Sequence, residues 1–131
     1  DWDRFDYTFV GRSPIQFKHI TMISPVDSVN LADMLREHDI FVTASINDPC
    51  SNALIEALSC GLPVIGARSG GHPELIGEAG YLFDDKKDIL GLIDNLVDNY
   101  QQAQNSIKVP TLSEVGHAYM RVMGLKTLND N

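Results

Sequence analysis

The chain is poor in cysteine, in basic residues and in long apolar runs, and each shortage excludes a class of protein. Two cysteines, Cys50 and Cys60, are too few for a disulfide framework and match no metal-ligand spacing, which fits a reducing cytoplasm. The 10 basic residues stand against 18 acidic ones, so the chain lacks the basic footprint that nucleic acid requires. No apolar run approaches the ~20 residues that cross a bilayer. No charged and then apolar leader opens the chain, so we expect no export signal.

Motifs for metal binding and for nucleophilic catalysis are missing as well. His19, His38 and His117 share no metal-like spacing with Asp or Glu, and no carboxylate cluster for a divalent metal is evident. No serine or cysteine stands in a recognisable nucleophile motif, and His72 is therefore interpreted as a loop residue. We expect no metal and no cofactor.

What the sequence does contain is an apolar fraction of 44%, enough for the core of one domain, with no internal repeat or interdomain linker. Short β-rich runs alternate with helical patterns, which is typical of an α/β protein with a parallel sheet and helices on both faces. The strands are predicted at residues 7–10, 19–23, 39–44, 63–67 and 80–83. The third is apolar on both faces, as a buried parallel strand should be.

Helical patterns separate the later strands. The first helix is expected to begin with Asn30 as its N-cap and Asp33 at its third position. The next begins near Ser51 and ends at Gly61, where Pro63, two residues on, is a strong stop signal.

Two further helices are predicted at the end of the chain. One starts at Asp85 and carries apolar residues at helical spacing up to Tyr100, after which residues 101–106 are expected to be its frayed end and a loop. The last follows Ser113. Its apolar stripe is predicted to be core, and consists of Val115, Ala118, Tyr119 and Val122.

Two carboxylates, Asp48 and Glu56, lie eight positions apart across the loop-to-helix junction after the third strand. Ligands of open α/β sheets bind at this edge, beyond the carboxyl ends of the strands. The helix start presents unpaired N–H groups of Ser51, Asn52 and Ala53 and about half a positive charge, which suits a diphosphate.

Glu56 lies on the same helix face as Asn52 and can accept hydrogen bonds from two vicinal hydroxyls, as on a ribose. The alternative is an ordinary exposed helical glutamate. Against it, the apolar neighbours of Glu56 predict a largely buried helix, in which a carboxylate needs a partner. Phosphates and hydroxyls together indicate a nucleotide sugar.

A second glycine-rich turn, Gly70-Gly-His-Pro-Glu74, opens another helix. Gly70 and Gly71 are compatible with an anion nest and equally with a plain loop between a strand and a helix. Pro73 suits the first helical position, and Glu74 lies in the first turn, where the helix dipole favours a carboxylate.

These motifs together resemble the donor-binding half of retaining GT-B glycosyltransferases, and most closely family 4 (glycosyl transferases group 1). The resemblance rests on Asp48-x7-Glu56, on Ala57-Leu-Ser-Cys-Gly-Leu-Pro-Val-Ile65 and on the Gly70–Glu74 turn, and it extends from the strand at Tyr7 to the terminal helix. It implies a Rossmann-like fold and places the whole chain, residues 1–131, in a nucleotide-sugar donor-binding domain.

The resemblance also implies roles for individual residues. Asp48 would be catalytic, lying against the donor sugar, and Glu56 would bind the donor ribose. Backbone N–H groups of Cys50, Ser51 and Asn52 would face the sugar and diphosphate, and the base would meet backbone near Met22 and Ile23. The implied reaction transfers a sugar from a nucleotide-diphosphate donor to an acceptor hydroxyl with retention, commonly without a metal.

The chain departs from the family pattern at three places. Asp48 stands where the family usually has Glu, and Cys50-Ser51 replaces a frequent Phe-Gly. The family's first strand, with the Gly-Arg and Lys that clamp the diphosphate, is expected to be missing. Gly11-Arg12 and Lys18 imitate that clamp, but only about twenty residues separate Lys18 from the third strand, too few for the elements between.

We therefore expect a fragment that also lacks the N-terminal acceptor domain and is inactive by itself. The lost strand would be central, so the sheet should show a gap, a rearrangement or a strand donated by a neighbour. The resemblance further implies a glycan or lipid acceptor bound by the missing domain, and peripheral association of the parent enzyme with the cytoplasmic membrane face.

Two other functions remain open. A non-catalytic α/β nucleotide-binding or regulatory domain is one, although a receiver-type domain would carry an acidic cluster and a lysine on the fifth strand, and neither is seen. A sugar epimerase of GT-B architecture is the other, and the Asp48–Glu56 motif favours transfer over it.

Overall fold

The computed structural model describes residues 2–125. Its strands, in chain order, are β1 (Thr8–Val10), β2 (Thr21–Ile23), β3 (Phe41–Thr43), β4 (Val64–Ala67) and β5 (Gly80–Phe83). Its α-helices are α1 (Ser28–Arg36), α2 (Asn52–Ser59), α3 (His72–Ile76), α4 (Ile89–Asp98), α5 (Tyr100–Asn105) and α6 (Leu112–Val122), with a 3₁₀ turn at Lys86–Asp88. None of the helices within residues 2–125 combines the length and the apolar character that crossing a bilayer requires.

The strands form two separate parallel sheets. One has the order β1-β2, with Thr8 opposite Thr21, and the other has the order β3-β4-β5, with Phe41 opposite Val64 and Val64 opposite Gly80. The α/β class predicted from the sequence is confirmed. Of the three expected outcomes for the sheet, the structure has the gap.

The gap lies between β1 and β3. Each of these strands pairs with a neighbour on one edge only, and their unpaired edges border the same cavity. This cavity of about 460 Å³ fills the space between them and is lined by apolar side chains of β1, α1 and β3. Val42 of β3 borders it and is 43% exposed. The prediction that residues 39–44 form a buried strand is therefore wrong, because β3 is an edge strand.

The hydrophobic core lies on the two faces of the β3-β4-β5 sheet. Alternate residues of β4 point to opposite faces, so that Ile65 and Val64 belong to different clusters. Ile65 packs with Phe83 and with residues of α4 and α5, and Val64 packs with residues of α2 and α3. This sheet has helices on both faces, as predicted.

Several helix boundaries differ from the prediction, and two of the differences have a clear cause. Asp27, not Asn30, caps α1, because its Oδ1 atom accepts hydrogen bonds from the Val29 and Asn30 N–H groups at 3.0 Å each. The predicted loop at residues 101–106 contains α5, whose polar sequence is held by tertiary contacts: Ala103 is buried, and the Gln104 side chain donates to the Gly61 carbonyl at 3.0 Å.

The expectation that the last helix contributes core residues is also wrong. Thr111 and Glu114 form a reciprocal capping box, so α6 begins at Leu112. None of its residues is buried, and Val122 is 87% exposed. The apolar spacing correctly predicted a helix, but the part of the chain that the structure describes provides nothing to cover its apolar face.

Candidate functional site

Two loops meet at the carboxyl ends of β3 and β4, because these strands are parallel neighbours. We call residues 44–51 and 68–72 the paired loops. The Asn47 N–H donates to Ser69 Oγ at 2.9 Å, and the Gly71 N–H donates to the Asp48 carbonyl at 2.9 Å. These bonds join the Asp48 loop to the Gly70–Gly71 turn as one unit.

The two glycines allow the backbones of the paired loops to touch. Gly70 has a φ of +56°, and a Cβ atom there would lie 2.1 Å from the Asp48 carbonyl oxygen. A Cβ atom on Gly71 would lie 2.3 Å from the Pro49 carbonyl oxygen. Since the Gly71 N–H is already bonded within the protein, close approach explains the glycine pair, and the structure favours the plain loop over the anion nest.

Asp48 is half-buried and held from two sides. Its backbone carbonyl accepts from Gly71, and its carboxylate Oδ1 accepts from the Cys50 N–H at 3.1 Å. The carboxylate is thereby fixed beside the start of α2. The Cys50 N–H, predicted to face a ligand, is bonded to Asp48 in this structure.

The first turn of α2 presents free backbone donors. Ser51 is the N-cap, and its buried hydroxyl accepts from the Leu54 N–H at 3.4 Å, so this side chain serves the helix. The N–H groups of Ser51, Asn52 and Ala53 have no acceptor among residues 2–125. Three unpaired donors at a helix N-terminus form a site suited to an anion.

Glu56 lies one turn further along α2, on the face opposite the buried side chains of Leu54, Ala57 and Leu58. It is exposed, and with Ala53 it borders the cavity between β1 and β3. Its apolar neighbours Leu54, Ala57 and Leu58 are buried as expected, but the expectation that Glu56 itself needs a partner in a buried helix is wrong, because only the opposite face of α2 is packed. Its carboxylate is open to a ligand but does not require one.

Met22 and Ile23 are half-buried at the end of β2, and each accepts one hydrogen bond. The Phe17 N–H donates to Met22 Sδ at 3.4 Å, and the Gly11 N–H donates to the Ile23 carbonyl at 3.0 Å. The cavity beside Glu56 is bordered instead by the residues that follow β2, Pro25 and Val26. Sequence reasoning missed these two, and no pattern in the sequence marks them.

Apart from Met22 and Ile23, the predicted site residues thus form two groups. Asp48, Cys50, Ser51 and Asn52 lie on the paired loops and the first turn of α2, whereas Glu56 borders the cavity. The α2 helix connects the groups. Within residues 2–125, no three His, Cys, Asp or Glu side chains come close enough to hold a metal ion.

His72 is a site residue that sequence reasoning misjudged. Interpreted as a loop residue, it is instead the first residue of α3 and fully buried, at 0% exposure. Its Nδ1 lies 2.9 Å from the Ala67 carbonyl and its Nε2 lies 3.2 Å from Ser45 Oγ. The helix start that the sequence predicted at Pro73 was a usable signal that His72 lies next to a helix, but not for the direction of the His72 ring.

Comparison with known proteins connects the site to a family. A family model described as glycosyl transferases group 1 matches residues 5–101. N-acetyl-alpha-D-glucosaminyl L-malate synthase of Bacillus anthracis is 42% identical over 55 residues, 40% of this chain and 14% of that protein. D-inositol 3-phosphate glycosyltransferase 2 of Catenulispora acidiphila is 42% identical over 52 residues, 40% of this chain and 12% of that protein.

A third relative matches more of the chain. The probable sucrose-phosphate synthase of Thermosipho melanesiensis is 31% identical over 109 residues, which is 81% of this chain and 23% of that protein. The chain therefore spans less than a quarter of the length of these relatives.

Proposed function

The chain belongs to the group 1 glycosyltransferases, and from this premise we propose that it binds the nucleotide-diphosphate sugar donor of a retaining enzyme. The observation that carries the proposal is the pairing of free N–H groups at the start of α2 with a free carboxylate, Glu56, one turn deeper on the same helix. A diphosphate needs hydrogen-bond donors such as these N–H groups, and the hydroxyls of the adjoining ribose need an acceptor such as this carboxylate.

The diphosphate would bind at the N–H groups of Ser51, Asn52 and Ala53. A helix N-terminus carries about half a unit of positive charge, and its N–H groups are oriented before the ligand arrives. A net charge of −8 leaves little general attraction for an anion, so the site depends on these local donors. The same donors would stabilise the charge that develops on the diphosphate as it departs.

The ribose would bind at Glu56. An ionised carboxylate offers two oxygens to two vicinal hydroxyls, and hydrogen bonds to a charged group contribute about 1.5–3 kcal/mol. Pro25, Val26 and the end of β1 border the same cavity and provide an apolar surface for the base. This moves the proposed base contact from Met22 and Ile23 to the residues that follow them.

Asp48 would lie against the donor sugar and support the transition state. Its position is set by Cys50 and Gly71, so the carboxylate is preorganised rather than mobile. We propose that transfer proceeds with retention and without a metal in the cytoplasm, to a glycan or lipid acceptor bound by another domain at the membrane face.

Nucleotide titration of Glu56→Ala tests the proposal. Calorimetry with UDP, GDP and ADP should show binding of one nucleotide to the unchanged chain and a loss of roughly 10- to 100-fold in Glu56→Ala, as expected for a charge-assisted contact. Glu78→Ala is the control, because Glu78 is an exposed glutamate after α3, outside the proposed site. Equal affinity in both variants would contradict the ribose assignment.

A further inference from the structure

His72 connects the ends of β3 and β4 underneath the paired loops. We propose that His72 is a positioning residue that holds these loops, and with them the Asp48 carboxylate, in the geometry that the donor needs. The inference rests on the proposed function of the site. It starts from a fully buried histidine with both ring nitrogens engaged, to which neither donor binding nor sugar transfer assigns a direct part.

The direction of the hydrogen bonds follows from the partners of His72. The Ala67 carbonyl can only accept, so Nδ1 carries the proton and donates to it. In the neutral ring Nε2 is then an acceptor, and the Ser45 hydroxyl must donate to it. The Ser45 oxygen in turn accepts from the Thr43 hydroxyl, 3.1 Å away. One chain of hydrogen bonds therefore runs from the end of β3 through the imidazole to the end of β4.

This chain continues into the site through the loop backbones. His72 follows Gly71 directly, and its own N–H donates to the Ser69 carbonyl at 3.2 Å. Ser69 and Gly71 are the two residues that bond the Asp48 loop, at Asn47 and at Asp48 itself. Fixing the ring between the two strand ends therefore sets the register in which the turn meets the loop.

The space around the ring permits a histidine and little adjustment. A Cβ atom on Gly66 would lie 2.6 Å from the Ile76 side chain and 3.7 Å from His72 Nδ1, so α3 packs directly on β4. A side chain of similar size without ring nitrogens would fill the space but lose both bonds, so that the Ala67 carbonyl would keep only the Ser69 N–H and the Ser45 hydroxyl only Thr43. Asparagine would keep the donor to Ala67 and lose the acceptor for Ser45.

The test compares His72→Phe and His72→Asn with His117→Asn, a histidine exposed on α6. Amide hydrogen exchange should accelerate roughly tenfold, the factor that one hydrogen bond is worth, at Asn47 and Gly71 in His72→Phe. Asparagine should restore part of this protection. Affinity for a nucleotide sugar should fall by a similar factor relative to the unsugared nucleotide, because Asp48 faces the sugar. The control should change neither quantity.

Nitrogen chemical shifts of the unchanged protein give an independent readout, since they identify the proton on Nδ1 of His72. A proton on Nε2 instead would overturn the hydrogen-bond chain. Acceleration of all amides alike in His72→Phe, or unchanged affinity for the nucleotide sugar, would overturn the positioning role. If His72→Phe does not fold, Ser45→Ala interrupts the same chain from its other end and is read in the same way.

Failure of the proposed function gives a different result. In that case Glu56→Ala leaves nucleotide affinity unchanged, while the His72 variants still accelerate exchange at Asn47 and Gly71. The two hypotheses are therefore separable with one set of variants.

Discussion

The two sheets of this molecule have the same parallel pairing and very different interiors. The β3-β4-β5 sheet carries buried residues on both faces, from Leu54 to Ala103. Around the β1-β2 sheet, no residue from 2 to 40 is buried, and Ile15 and Val29 are each more than 60% exposed. Pairing two strands does not make a core, because a parallel sheet is stable only when both its faces are covered.

The difference is concentrated at one strand edge. β4 pairs on both sides and every one of its residues is buried, whereas β1 and β3 face each other across the cavity without pairing. The candidate site residues lie along this boundary: the paired loops belong to the packed sheet, and Glu56 faces the open side. The site therefore combines a rigid loop unit with an open cavity.

Core truncation should show the largest contrast between the two regions. Ile65→Ala, at a fully buried position of β4, is expected to lower the free energy of unfolding by about 2–5 kcal/mol, because it leaves a cavity between packed elements. Val42→Ala, on the unpaired edge of β3, should cost less than about 1 kcal/mol. Urea unfolding measures both. Equal losses would mean that the β1–β3 boundary is packed in solution.

Glycine substitution should show the next largest effect. Gly70→Ala forces a Cβ atom against the Asp48 carbonyl as well as a left-handed backbone, so we expect a loss of about 2 kcal/mol or more and weaker binding of a nucleotide sugar. Gly61→Ala is the matched control: its φ is +90°, but the nearest atom to the new Cβ is 4.0 Å away, so only the backbone term of about 1–2 kcal/mol applies. Equal losses of unfolding free energy in Gly70→Ala and Gly61→Ala would show that the paired loops separate easily.

Hydrogen exchange should rank the strands directly. Amides of β4 are expected to exchange at least about tenfold more slowly than amides of β1, because β4 opens only with the core and β1 can open locally. Native-state exchange followed by NMR measures this at each residue. Comparable protection in β1 would indicate that both sheets unfold as one unit.

Acidification should produce the smallest of these effects, seen in the open region at the start of α1. Hydrogen bonds from Asn30 and Val29 hold the pKa of the Asp27 carboxyl below its ordinary value. The stabilisation of α1 is therefore present above the unfolded pKa of about 4 and is lost as the pH falls through the lower folded value. NMR shifts of the Val29 and Asn30 amides should report it. Asp27→Asn keeps a capping side chain but removes the pH dependence, whereas the α2 cap, a serine hydroxyl, should not respond.

Sequence patterns predicted the order of strands and helices, because strand-forming runs and stop residues act between near neighbours along the chain. Short β-rich runs and glycine or proline stops placed β4, β5 and the end of α2 close to their observed positions. These patterns failed where tertiary contacts decide the secondary structure. The polar segment that forms α5 is helical because Ala103 and Gln104 contact the core and Gly61, and no propensity reports that.

The candidate site divides in the same way. Asp48, Glu56 and the glycine pair were identifiable, since their spacing across the strand-to-helix junctions is part of the pattern that resembles the family. Whether Glu56 is buried depends on which face of α2 meets the sheet. Whether His72 points inward depends on the space above Gly66. Both are decided by the packing of elements distant in sequence.

By itself, the sequence determined which segments become strands, where α2 begins, and that glycines stand at residues 70 and 71, because these depend on backbone preferences and on spacing along the chain. Tertiary structure alone decided that the sheet is split, that α6 is exposed, and that an imidazole lies beneath the loops. These outcomes depend on burial, and burial is a property of the partners that surround a residue rather than of the residue.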